Sequence, residues 1–158
     1  MMIRAVTALL VLLFVASLLS PALCNRPEGD VCAAPFPGYL AAVGSMMVIQ
    51  NLFEEPEDFA EDPLGGLYVA TAWIANIPFI LVSLLLLVSP RRRLGRWAVI
   101  ATALAAVDSW LVPFVMVPET SSFQELLLLG YWLWVLSLSL MAVWTFALGR
   151  AWNRPETR

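Results

Sequence analysis

Seven residues, Pro-Arg-Arg-Arg-Leu-Gly-Arg at 90–96, separate two long apolar stretches at 66–89 and 97–117. A connection this short makes its flanking helices antiparallel neighbours, and a short loop with four arginines resists translocation across a bilayer. The chain is therefore expected to contain a transmembrane hairpin whose turn, through Arg91, Arg92, Arg93 and Arg96, faces the cytoplasm. A third apolar run covers 126–149, and a fourth lies near the start. The three later runs each fall within the roughly 17–25 residues that a spanning helix needs.

Composition agrees with the lipid setting. Hydrophobic residues make up 61% of the chain and charged residues only 13%, against about 45–50% and about 25% in soluble domains. The expected fold is an all-α integral membrane helical bundle with four transmembrane segments, or three if the first is a cleaved signal peptide. The expected organisation is an N-terminal helix or signal peptide at 1–23 and an extracytoplasmic loop at 24–65. A three-helix core at 66–149 and a basic cytoplasmic tail at 150–158 follow.

Charge is segregated along the chain. Arg4, Arg91, Arg92, Arg93, Arg96, Arg150, Arg154 and Arg158 fall in segments expected inside, whereas Arg26 is the one outer base and ten acids lie outside. The expected location is the cell membrane, multi-pass, with both termini cytoplasmic before any signal cleavage. The inner arginines suit anionic lipid headgroups and not nucleic acid.

The first apolar run admits two readings. As a helix through Leu23 it spans about 28 Å at about 1.5 Å per residue. As a signal peptide it has a charged start, an apolar core and a small-x-small site at Ser20-Pro21-Ala22. Either reading puts Cys24 outside. Cys24 and Cys32, the only cysteines, flank a turn-rich stretch on the translocated side and are expected to form a structural disulfide.

Residues 37–53 are apolar, but spanning there would invert the positive-inside pattern. Tyr39, Val43, Met46, Met47 and Phe53 recur at helical spacing, as in an interfacial or packing helix. The six acids in 54–62 lack the alternating ligand pattern of a calcium loop. They are expected to be solvated.

Asp108 lies near the middle of its apolar run, where a charged carboxylate costs about 2.5–3.5 kcal/mol on insertion scales. It is expected to be uncharged and hydrogen-bonded. Hairpin symmetry about Arg93 puts Pro78 level with Asp108 and Asn76 close by. The same construction about 121–122 puts Val135 level, with Ser137 and Ser139 somewhat deeper. A polar layer of Asn76, Asp108, Ser109, Ser137 and Ser139 is expected. Pro78 and Pro113 flank it, each releasing the carbonyl four residues earlier, those of Ile74 and Ser109.

The chain has no histidine and no lysine, and no Cys-x-x-Cys pair or glutamate in the first run, which removes most catalytic templates and the small thiol-oxidoreductase and multidrug-exporter patterns. No catalytic residue, cofactor or metal is expected. The favoured function is a non-enzymatic accessory, assembly or scaffold subunit with a membrane-protein partner or a second copy of itself. The alternative is a small proton- or cation-coupled transporter using Asp108 and Asn76.

Overall fold

The first helix, α1 (Met2–Leu19), stops where Pro21 begins, because a proline disfavours helical geometry at the residue before it. Its last backbone bond runs from Ser20 N–H to the Ala16 carbonyl, 3.0 Å. The computed structural model describes residues 2–24, 27–28, 31–32, 35–40, 43, 74–90, 94–116 and 127–152. Most of these are helical. The later helices are α2 (Asn76–Val88), α3 (Arg96–Met116) and α4 (Leu129–Trp152).

Contacts arrange the four helices as a ring in chain order, with α4 closing onto α1 and packing broadly on α3 as well. Neighbours run antiparallel. The Arg4 guanidinium at the start of α1 reaches the Val88 carbonyl at the end of α2, 3.4 Å, and Phe14 stacks on Phe79 further along the same seam, with centroids 4.5 Å apart. Arg4, Arg96 and Arg150 therefore share one end of the bundle, while Cys24, Pro37 and Leu127 share the other.

After α1 the sequence leads one to expect an irregular loop, and here the structure differs. β1 (Pro21–Cys24) pairs antiparallel with β4 (Pro35–Pro37), and β2 (Pro27–Glu28) pairs with β3 (Val31–Cys32) between them. Four prolines in these short strands hold the backbone extended and exclude a helix. Leu127 bridges Leu23, and Leu128 N–H donates to the Ala22 carbonyl at 2.9 Å, tying the start of α4 to the same strand. Gly130 is required there: a Cβ would meet the Ser20 and Pro21 carbonyl oxygens at 2.6 and 2.7 Å.

Among the described residues two helices, Met2–Leu19 and Leu129–Trp152, are long and apolar enough to cross a membrane. α3 has 21 residues. α2 is apolar, but its 13 residues cover only about 20 Å at about 1.5 Å per residue. Residues 66–73 lie outside the described residues, as do most of 37–53, the acidic stretch 54–62, Arg91, Arg92, Arg93, the 118–125 loop and the tail beyond Trp152. The helical run breaks at Ala75, three residues before Pro78, which donates no bond to the Ile74 carbonyl. Pro78 thus occupies the first turn of α2, where a missing N–H costs little. α3 continues through position 113 without a break.

Large apolar side chains lie on the outside of the helices as well as in the core. Leu9, Leu12, Leu81, Leu84, Leu104, Val143 and Phe146 are exposed, Leu104 at 64% and Leu81 at 61%. Thr7, Ser17, Ser83, Thr102, Ser109, Ser137 and Thr145 are buried. Most of the buried hydroxyls donate to a carbonyl three or four residues back on their own helix, as Thr7 does to Ile3 at 2.8 Å and Ser17 to Phe14 at 2.6 Å. Small hydroxylated residues let helices approach closely; Ser83 Oγ is buried without such a bond.

Candidate functional site

α3 presents two different stripes. Ala101, Leu104, Ala105, Asp108 and Leu111 recur at three- and four-residue spacing and face α2, where Ile74, Ala75 and Pro78 complete a groove of about 450 Å³. Asp108 is the one polar side chain on its lining, and Oδ2 of its carboxylate is sealed from solvent. Pro78 and Asp108 share this groove. Leu104, Val107 and Leu111 remain exposed along it, so the groove opens on the outer face of the bundle.

The other stripe faces α4 and carries most of the hydrogen bonds between helices. Thr102 and Thr145 share a hydroxyl–hydroxyl bond of 2.8 Å in the buried interior. Trp110 Nε1 donates to Ser139 Oγ at 3.1 Å. Tyr131 hydroxyl donates to the Ser109 carbonyl at 2.6 Å. That carbonyl is the one Pro113 releases from the helical ladder, and a tyrosine from the neighbouring helix takes it.

Asn76, at the start of α2, accepts from Trp134 Nε1 at 2.7 Å. Ser137 donates to the Trp134 carbonyl at 2.8 Å, and Ser109 to that of Ala106 at 2.7 Å, each within its own helix. Asn76 and Ser139 meet tryptophans, Ser109 meets a tyrosine through its backbone, Ser137 stays within its own turn, and Asp108 faces the groove. Trp134, Trp110, Tyr131, Thr102 and Thr145 are the bridging side chains that the sequence alone did not single out. The aromatic ones carry a single N–H or O–H on an apolar body, which suits them to reach across a helix seam.

At the strand end of the bundle Cys24 is buried and disulfide-bonded. At the opposite end the Arg150 guanidinium lies over the Phe146 ring, 5.5 Å from its centroid. Arg96 and Arg4 are exposed nearby in the fold. This end offers positive charge beside apolar surface, the arrangement that suits an interface between water and lipid.

The chain matches no family model, and no curated protein or solved structure is significantly similar to it.

Proposed function

We propose that the chain is a four-segment integral membrane protein acting as a non-enzymatic accessory or assembly subunit. The observation that carries this reading is the outward apolar surface: large apolar side chains are exposed on all four helices, around an apolar core that also holds several hydroxyls. In water, exposing so many large apolar groups would drive association; in hydrocarbon it costs nothing. The end bearing Arg4, Arg96 and Arg150 is cytoplasmic against anionic headgroups, with the arginines at 91–93 alongside. Cys24 pairs with Cys32, the only other cysteine, and the strand cap is extracytoplasmic.

α1 is retained in this reading and not removed as a signal peptide. Leu10 and Phe14 belong to the main apolar core with Phe79, Leu138 and Met141, and a mature chain without them would expose that core. The transporter alternative is less favoured, because a carrier needs a water-lined route to its carboxylate. The groove at Asp108 is otherwise apolar and opens sideways toward lipid.

The test is purification of the full chain in mild detergent from its native membrane. A stoichiometric membrane-protein partner is the expected result. Recovery of the chain alone, together with solute or proton flux in proteoliposomes that Asp108→Asn abolishes, would replace this reading with the transporter.

A further inference from the structure

We infer that the arginine-bearing end of the α3–α4 seam holds one phospholipid with a phosphomonoester headgroup, its phosphate gripped by Arg96 and Arg150. This deepens the membrane-subunit reading and rests on it. Helical spacing places both arginines on the outer side of the seam. Trp110 Nε1 bonds to Ser139 Oγ across that side at 3.1 Å. Arg96 stands two heptads before Trp110, and Phe146 one heptad after Ser139, so each shares a helix face with its counterpart. The Arg150 guanidinium lies back over the Phe146 ring and stays on that face. Both arginines are exposed.

The two helices are close at this level, since a Cβ on Gly149 would stand 3.5 Å from Val99 Cγ2. Packed helix axes lie about 8–10 Å apart, a gap that two arginine side chains close, so both guanidinium forks reach a single phosphate. No carboxylate competes among the described residues. The only acids there are Glu28, at the strand end, and Asp108, about 18 Å along α3 from Arg96 at about 1.5 Å per residue. In sequence, the segments 1–4, 90–96 and 150–158 carry eight arginines against Glu156 alone. Arg96 also opens α3, where the helix end is itself partly positive and a cation is disfavoured unless an anion lies beside it. A phosphate placed there meets the first N–H groups of the helix as well.

The surface running from the arginines toward mid-depth selects a lipid over free phosphate. Ile100 and Val107 of α3, with Val143 and Phe146 of α4, are exposed along it. From Arg96 to Trp110 this face runs about 21 Å at about 1.5 Å per residue, more than one leaflet's half of a hydrocarbon core about 30 Å thick. An acyl chain lies along the seam while its headgroup stays with the arginines. Charge selects the headgroup. A phosphomonoester carries about −1.5 to −2 at neutral pH, which two guanidiniums balance, whereas a phosphodiester carries a single charge and a choline headgroup adds a cation of its own.

Native mass spectrometry of the full-length protein, released from detergent after titration with phosphatidic acid, provides the test. The comparators are phosphatidylglycerol, phosphatidylcholine and glycerol phosphate. Phosphatidic acid is expected to saturate at one per chain and to bind at least about tenfold more tightly than phosphatidylcholine, with phosphatidylglycerol between them. Glycerol phosphate, which has the phosphate without the chains, should not displace it at the same concentration.

Arg96→Gln and Arg150→Gln should each abolish the preference for phosphatidic acid over phosphatidylcholine. Arg4→Gln removes a charge from the same end but on the α1–α2 seam, and it should leave the preference intact. The substituted positions are exposed, so an unchanged unfolding midpoint in detergent shows that the bundle is preserved. Equal affinity for phosphatidic acid and phosphatidylcholine would overturn the proposal. So would uptake of several lipids without saturation at one, an equal loss in Arg4→Gln, or displacement by glycerol phosphate. A failure here with a stoichiometric membrane partner still co-purifying would remove the lipid site and leave the accessory-subunit reading standing.

Discussion

α3 meets its two neighbours in opposite ways. Toward α4 it is closed: Thr102, Trp110 and the Ser109 carbonyl are each bonded across the seam, and Leu138 and Met141 pack in the core behind it. Toward α2 it opens into a groove whose walls are alanines and exposed aliphatics around one carboxylate. If the bundle sits in lipid as proposed, the difference concerns what it needs for itself. Within lipid, apolar contact alone gives little preference for a helix partner over acyl chains, so close packing and hydrogen bonds hold helices together. The α3–α4 seam has both, whereas the α2–α3 seam is left with an apolar groove around Asp108.

Substitutions sharpen that contrast. The largest expected loss is at the centre of the closed side. Met141→Ala removes a fully buried side chain and should cost about 2–5 kcal/mol, read as a lowered unfolding midpoint in detergent. A cost near zero would mean that the seam is not tightly packed.

Next comes Gly130→Ala, whose new methyl group meets backbone oxygens of Ser20 and Pro21. Backbone cannot swing aside as a side chain can, so about 1–3 kcal/mol of strain is expected. Proteolysis at the strand end should accelerate accordingly. An unchanged cleavage rate would mean that the start of α4 is not tied to β1.

A smaller effect is expected for Thr145→Val, which keeps the shape but deletes the bond to Thr102. Interhelical hydrogen bonds in lipid are worth about 0.6 kcal/mol on average and up to about 1.7. A double-mutant cycle with Thr102→Val isolates that term. The smallest effect is expected on the open side: Leu104→Ala at the exposed groove wall should change stability by no more than about 0.5 kcal/mol. If it costs as much as Met141→Ala, the groove is part of the bundle's own core and the contrast fails.

Much of the bundle is legible in the sequence, because a seven-residue turn, apolar period and run length dictate antiparallel helices. Hairpin symmetry about Arg93 puts Pro78 beside Asp108, and both line the same groove. On the other side the construction drifts. It places Met141 opposite Thr102, yet the contact falls four residues on, at Thr145.

The carbonyl released by Pro113 follows from covalent chemistry alone. Its taker, Tyr131, does not, since an aromatic near a helix end fits an interfacial belt equally well. The strand pairs escape periodicity for a different reason: runs of two to four residues rich in proline carry no alternation to read.

The central claim is that the outward apolar faces of the helices meet lipid, and spin labels introduced one at a time into the reconstituted protein test it directly. Labels at Leu9, Leu81, Leu104 and Leu140, all outward-facing, should collide readily with oxygen and hardly with a water-soluble nickel chelate, while labels at Arg96 and Arg150 show the reverse. Free access of the nickel chelate to the four leucine positions would place those faces in water and contradict the account.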